Sequence, residues 1–493
     1  MSVVQGSWRT LLRRGGDHGD HTGPAPSGSS PAAAGAASVV GALVVLEFAS
    51  GLLQGWLPPL LPGILQQYGT TAAELNWVSA VYLLSSAVCL PLMSKLGDRY
   101  GHRRLLVVAA VLVAVGSVIV AVAPTFEILL LGRAIQGPLN AFLPLEFAIV
   151  RERLGHRAGR AIGLLVGALA VGGSLGFLLA GVTRQYLSLS ATLWVPAVLV
   201  IAMVPVAALL VPETTLRTPD RIDWVGAALL SLGLVLVLTA VGNGSSWGWT
   251  DARTVGGVAG GLCVLTAWTA FERRVRHPFV DLSLLRRPAL GLPMLAGFLL
   301  GAELFGSQVA SALFLGLPTS TGFGLGLPPG RLGLVLLVFG LAAFVGTWLA
   351  PRLAERLGTR APVVLGALLT ATGYTLTAFV HGSVGAFVAW QALVGIGNGL
   401  VLAGLSAHVA TSAPADAVGI SAGLFNTART VGGAVSGAAF ATVMAALVTL
   451  LPGGSRPVTS EAGYVTVWLV CAVLALAVAG LATRLPGHRR SLS

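Results

Sequence analysis

Polar side chains standing alone inside long apolar runs are where this chain could do chemistry. Glu47, Arg133 and Glu303 are three such residues, each within a run of apolar neighbours. An ionisable group in such surroundings is costly unless it binds something, so it marks a path for ions or substrate. A carboxyl there can exchange a proton or pair with a cationic compound, and a nearby guanidinium shifts that balance. Neutral polar residues accompany the charged ones at helical spacing. Glu47, Ser50 and Gln54 share one stripe, as do Arg133, Gln136 and Asn140; Glu303 pairs with Ser307, and Gln391 with Asn398. Such stripes suit a water-filled substrate path, and their plain alternative is hydrogen-bonded glue between helices. Enzyme chemistry has no foothold: no nucleophile–base–acid order, no metal-ligand cluster and no phosphate-binding loop occurs, and no cofactor is implied. Cys89, Cys263 and Cys471 lie singly within apolar segments, without disulfide or metal spacing.

The elements that must position these residues are membrane helices. Mean hydropathy is +0.85 and only 10% of residues are charged, which excludes an ordinary soluble domain. Apolar runs recur near 38–60, 76–94, 105–123, 126–150, 161–182, 191–211, 223–242, 254–271, 289–315, 331–350, 361–380, 384–408, 418–449 and 463–483. Most are about the length that crosses a bilayer as a helix, giving fourteen spans. If residues 1–37 are a disordered cytoplasmic tail, 24 of the 30 Lys and Arg fall on the cytoplasmic side. Only Arg184, Arg253, Arg331 and Arg456 then fall outside. That asymmetry places both termini in the cytoplasm. The formal charge of +12 does not signal nucleic acid, because the basic residues come in pairs and triplets between apolar runs.

Between spans 2 and 3 lies a charged knot, Lys95-Leu96-Gly97-Asp98-Arg99-Tyr100-Gly101-His102-Arg103-Arg104. It returns in weaker form at Leu353-Ala354-Glu355-Arg356-Leu357-Gly358-Thr359-Arg360, 257 residues later, and Arg133 is echoed by Gln391 at an offset of 258. The chain therefore reads as two six-helix halves, 38–212 and 289–484, with a two-helix insert at 213–288 and a cytoplasmic tail at 485–493. Glu303 lies 256 residues after Glu47, so the repeat predicts that the two acids face each other across a central cavity.

The knot's Gly-Asp-Arg-aromatic-Gly-x-Arg-Arg order resembles the loop 2–3 signature of the major facilitator superfamily. Arg133-Ala134-Ile135-Gln136-Gly137 resembles that family's helix-4 motif. Pro62-Gly63-Ile64, Leu75-Asn76-Trp77-Val78, Asp223-Trp224-Val225-Gly226, His277-Pro278 and Gly419 through Gly433 resemble its fourteen-helix drug:proton antiporters. The resemblance implies an all-α major facilitator fold with a central cavity lined by spans 1, 4, 9 and 12. Glu47, Arg133 and Glu303 then become the proton-coupling residues, and Ser50, Gln54, Gln136, Asn140, Ser307, Gln391 and Asn398 line the cavity. Gly97, Asp98, Arg99, Gly101 and Arg103, with Glu355 and Arg356, form a cytoplasmic gate in which Asp98 meets the start of span 13 near Asp416–Gly419. Glu146 lies close to Arg151 and Arg153 and is assigned to the gate ahead of a substrate role, with Pro138 and Pro144 placed to rotate that part of span 4. Arg429 is left between a carboxylate partner and snorkelling. The sequence departs from the family in two places. Helix 5 reads Gly176-Phe177-Leu178-Leu179-Ala180-Gly181 where the family has a Gly-Pro-x-x-Gly-Gly element, and Leu53 stands where its helix-1 acid would be.

The expected function is proton-coupled efflux of a small cationic or neutral amphipathic compound by alternating access. Uptake or facilitated movement of a polar solute, and a non-transporting sensor or scaffold, are the alternatives. The expected partners are a small-molecule substrate, protons and the lipid bilayer, with the chain a monomer in the plasma membrane. Twenty-nine Arg against one Lys suggest a GC-rich bacterial host.

Overall fold

In the computed structural model the described residues are 31–155, 158–214, 223–275, 278, 288–412, 418–450 and 457–485. The predicted spans appear as helices in the expected order. Span 1 (Ser38–Tyr68) ends in a 3-10 turn, Pro58–Leu60, and a short helix, Leu61–Tyr68. Spans 2 to 6 are Ala72–Tyr100, His102–Val122, Phe126–Leu154, Ala158–Tyr186 and Leu189–Leu210. The insert is Trp224–Gly242 and Ala252–Glu272. Spans 9 to 14 are Pro288–Gly316, Pro329–Leu357, Ala361–Phe379, Val384–Ser412, Val418–Ala446 and Glu461–Thr483. Thirteen of these are long and apolar enough to cross a membrane. The remaining one, span 13, has ample length but is diluted by polar residues such as Asn426, Arg429 and Ser436. Its helix stops at Ala446, short of the expected 449, and Val448–Leu450 pairs antiparallel with Pro457–Thr459 before span 14.

The helix starts are set by local chemistry. Thr71 and Glu74 form a reciprocal capping box on span 2, and Thr125, Ser188 and Asp223 each accept from a backbone N–H in the first turn of their helices. The first helix begins at Pro31, ahead of the expected 38, and residues 1–30 and 486–493 lie outside the described residues.

The two halves pack alike. Span 1 lies on span 5 as span 9 lies on span 13; span 3 lies on spans 4 and 6 as span 11 lies on spans 12 and 14. The halves meet along two matching crossings, span 5 with span 10 and span 2 with span 13. The insert hairpin covers the second crossing: Ala227, Leu230, Leu234 and Trp268 pack with Leu84 and Leu92 of span 2 and Leu424 and Val431 of span 13.

Hydrophobic packing differs between the two ends. At the end away from the Lys95–Arg104 knot, one continuous core joins Trp56–Ile64 of span 1 to Val309–Leu315 of span 9 and Leu332 of span 10. Towards the knot end, a core around Leu105, Leu106 and Ile149 takes in Ala434 of span 13, and a further core of the second half lies around Leu290, Leu405 and Val478. The largest core shared by the two halves lies at the end away from the knot.

Candidate functional site

The seam between the halves carries charge at mid-height. Phe305 of span 9, Gly433 and Arg429 of span 13, and Tyr82 and Leu83 of span 2 converge there. A Cβ on Gly433 would lie 2.6 Å from the Phe305 ring and 2.9 Å from Leu83, so three spans meet with no space left over. The Arg429 guanidinium lies 5.8 Å from the Phe305 ring centroid, and its Nε has no acceptor. On the other side, Arg133 lies over the Tyr82 ring at 4.3 Å from its centroid, a cation–π contact. The Tyr82 hydroxyl is within electrostatic reach of Arg133, Glu47 and Arg429, which places groups from both halves around one phenol.

Glu47 belongs to this cluster, and its neighbouring acid is Glu146. The two carboxyls are close enough to interact electrostatically. Glu47 is 1% exposed and Glu146 0%. Glu47 Oε2 and both Glu146 oxygens have no hydrogen-bond partner. Buried polar atoms are almost always partnered, so an unpaired acid couple is a place that needs protons or an external cation. Glu146 is therefore not in the gate ion pair expected of it. The physical reason is a break in span 4. Its first helix ends at Ile135, Gly137–Ala141 is a 3-10 turn containing Pro138, and a second helix runs Phe142–Leu154 with Pro144 in its first turn. The missing proline N–H groups and the tighter turn change the angular register that a straight helix would impose.

The same break undoes the predicted stripe of Arg133, Gln136 and Asn140. Arg133 Nε donates to Val78 O at 3.1 Å and Nη1 to Gln136 Oε1 at 2.6 Å. Gln136 Nε2 then donates to Ser117 Oγ at 2.8 Å, and Ser117 to Val113 O at 2.7 Å. Arg133 and Gln136 border a void of about 10 Å³ shared with Trp56, Ser117 and Leu193, inside the first half. Asn140 sits in the 3-10 turn and is half-buried. The span 1 stripe survives, with Gln54 Nε2 donating to Ser50 Oγ at 3.3 Å.

Glu303 does not face Glu47. Its polar neighbours all belong to the second half: Tyr374 of span 11 and Asn398 of span 12 reach its carboxyl, and Cys471 of span 14 donates to its backbone carbonyl at 3.8 Å. Ser307 lies 2.8 Å from the Tyr374 hydroxyl, and Asn398 Oδ1 accepts from Thr370 at 3.2 Å. Ser307 and Asn398 thus point into the second bundle; Gln391 is buried, with Nε2 unpartnered. The repeat explains the correction. Arg133 and Gln391 correspond at an offset of 258, which carries Glu47 to Phe305, the residue that does reach the seam. Two residues at about 100° each turn Glu303 to the opposite side of span 9.

At the knot end, a residue that the sequence reading overlooked organises the loop. Glu213, just after span 6, accepts from the Arg103 backbone N–H at 3.2 Å and pairs with Arg104 Nε at 3.6 Å. Its carbonyl accepts from Arg153 at 3.0 Å, and Arg103 donates to Ala208 O. Gly101 has φ +107°, and a Cβ there would strike the Glu213 carboxylate. Asp98 pairs with His102 at 3.0 Å within its own loop. Of its expected partner region, Asp416–Gly419, Asp416 and Ala417 lie outside the described residues. Arg99 lies over Tyr100, beside Gly97 at the end of span 2, and Glu355 and Arg356 are exposed. An acid held by loop backbone far along the chain has no local spacing signal, so only the excess of donors in the knot hinted at Glu213.

Residues 43–437 match the family described as Major Facilitator Superfamily. The chain is 32% identical over 453 residues to the cephamycin export protein CmcT of Amycolatopsis lactamdurans, covering 87% of this chain and 88% of that one. It is 27% identical to the tetracenomycin C resistance and export protein of Streptomyces glaucescens, covering 78% and 72%, and 29% identical to the puromycin resistance protein pur8 of Streptomyces alboniger, covering 85% and 84%. Among solved structures, the nucleoside transporter NupG superposes with a TM-score of 0.63 at 14% identity, over 91% of this chain and 98% of that one. A bacterial homologue of the human lysosomal transporter Spinster gives 0.65, also at 14% identity, over 93% and 98%.

Proposed function

We propose that this chain, which belongs to the major facilitator superfamily, exports amphipathic organic compounds of the drug and antibiotic kind in exchange for protons. It is a multi-pass membrane transporter and not an enzyme. The observation that carries the proton part is the Glu47–Glu146 pair, buried beside a seam that both halves build, with Glu47 Oε2 and both Glu146 oxygens lacking a hydrogen-bond partner. Two neighbouring carboxylates cannot both stay charged in an apolar setting, so the pair holds protons or a cationic group and exchanges one for the other. Tyr82, Phe305 and Leu83, packed together here, would offer the ring and aliphatic surface that an amphipathic body requires once the halves part. Arg133, tied to Val78 and Gln136, is a fixed positive charge over the Tyr82 ring at the same seam.

The names of the export and resistance relatives support outward transport, and the charge pattern supplies the orientation. The Lys/Arg asymmetry supports a cytoplasmic knot end, and the end with the shared core is then the outer one. In this arrangement substrate enters from the cytoplasmic side or the inner leaflet, and protons enter after the halves rock open outward. One chain carries both halves of the site, which supports action as a monomer. The names of the export and resistance relatives support drug or antibiotic cargo.

Transport of puromycin in proteoliposomes under an imposed pH gradient tests the reading. Glu47→Gln should lose gradient-driven transport by at least about tenfold, while gradient-free counterflow continues because Gln imitates the protonated acid. A Glu47→Gln protein that still concentrates puromycin under the pH gradient would overturn it.

A further inference from the structure

The polar cluster inside the second bundle stands apart from the seam and has no part in the exchange described above. Glu303 is 1% exposed, and its Oε2 has no partner. Among the described residues no Arg or Lys acts on it. Burial and two neutral hydrogen-bonding neighbours, Tyr374 and Asn398, account for its surroundings, and among the described residues the titratable side chains that register its charge are Tyr374 and Cys471. At the seam, by contrast, Arg133 and Arg429 both stand near the Tyr82 phenol. An ionised Glu303 has no cationic partner among the described residues.

Most of what surrounds it is oxygen, with the Asn398 amide and the Cys471 thiol at its edge. Ser307 Oγ and the Tyr374 hydroxyl are 2.8 Å apart, and the Tyr374 hydroxyl lies 3.4 Å from the Glu303 carbonyl oxygen. Asn398 Oδ1 and Thr370 Oγ1 are 3.2 Å apart on the neighbouring spans. These groups come from spans 9, 11 and 12, so three helices converge on one carboxylate. The carboxyl and carbonyl oxygens of Glu303 and the hydroxyls of Ser307 and Tyr374 are hard donors that suit alkali and alkaline-earth ions and not transition metals. A single carboxylate selects further: it balances one positive charge, and a divalent ion would leave one buried and uncompensated. No His/Cys/Asp/Glu metal cluster occurs among the described residues, which accords with a site made of one acid and several neutral oxygens.

We propose that Glu303, Ser307, Tyr374 and Asn398 form a binding site for a monovalent alkali cation, sodium in size, within the second six-helix bundle. Such an ion would tie spans 9, 11 and 12 together and stiffen the half against which the first half moves. The site is separate from the Glu47–Glu146 pair, and its existence does not depend on the export reading.

The test is thermal unfolding of the purified full chain in detergent at one pH, with sodium, potassium or choline chloride at equal ionic strength, together with equilibrium binding of radiolabelled sodium. Sodium should raise the unfolding midpoint by at least about 2 °C over choline, saturably, and bind at one ion per chain. Glu303→Gln should abolish both signals, and Tyr374→Phe should weaken binding roughly tenfold with the fold intact. Glu47→Gln should leave both unchanged, which separates this site from the seam. Wild-type protein that melts alike in sodium and choline and binds no labelled sodium would overturn the proposal without recourse to any variant. Sodium binding that survives in Tyr374→Phe and Glu303→Gln would also overturn it.

Discussion

Glu47 is the acid that the sequence marks most clearly, because it is the only carboxyl in its span and an isolated charge there is expensive. Glu146 was harder to read. Spacing along a straight helix sets it well away from Arg133, and the nearby Arg151 and Arg153 offered an easier partner. The 3-10 break that brings it beside Glu47 depends on how two prolines act together, and spacing does not resolve that. Glu303 misled for the opposite reason: its offset from Glu47 is nearly the repeat, and a shortfall of two residues reverses the face. At this scale Glu146→Gln should impair proton-driven transport as Glu47→Gln does, whereas a gate role would alter the inward/outward balance instead. Paired measurements of gradient-driven transport and cysteine accessibility separate the two. Arg133→Lys should recover only part of the activity lost in Arg133→Ala. An ammonium keeps the charge, but it cannot serve Val78 O and Gln136 Oε1 with the same planar fork.

Helices were the most legible level. Fourteen apolar runs became fourteen helices, since a bilayer forces every backbone group into an internal hydrogen bond. The family's helix-5 element was the open question, and the close approach persists without its proline. Span 5 runs unbroken through Ala158–Tyr186, and a Cβ on Gly181 would lie 3.1 Å from Gly333 Cα of span 10. Close backbone packing here needs only the small residues. Gly181→Leu should therefore destabilise the protein by roughly 1–3 kcal/mol and reduce transport, read by thermal unfolding and by uptake. Gly101→Ala should cost about 1 kcal/mol or more, because φ +107° is strained for any side chain and the methyl would press on Glu213. Glu213→Gln should loosen the same knot with a smaller loss, measurable as faster proteolysis near Arg103 and Arg104.

The molecule as a whole is two similar bundles joined by a shared core at the end away from the knot, and fixing that end shut tests whether it must open during turnover. Pro62 and Gly316 meet there; a Cβ on Gly316 would lie 3.2 Å from that of Pro62. Cysteines at 62 and 316, in a chain whose own Cys89, Cys263 and Cys471 are replaced, should oxidise readily and stop turnover, with activity restored by reductant. The central claim is that protons and substrate compete for the Glu47–Glu146 pair. Proton release on substrate binding tests it most directly, using purified protein in weakly buffered detergent with a pH indicator and puromycin as the added compound. Wild type should release roughly one proton per bound molecule, and the Glu47→Gln/Glu146→Gln double variant should bind without release. Equal release from the double variant would contradict the account.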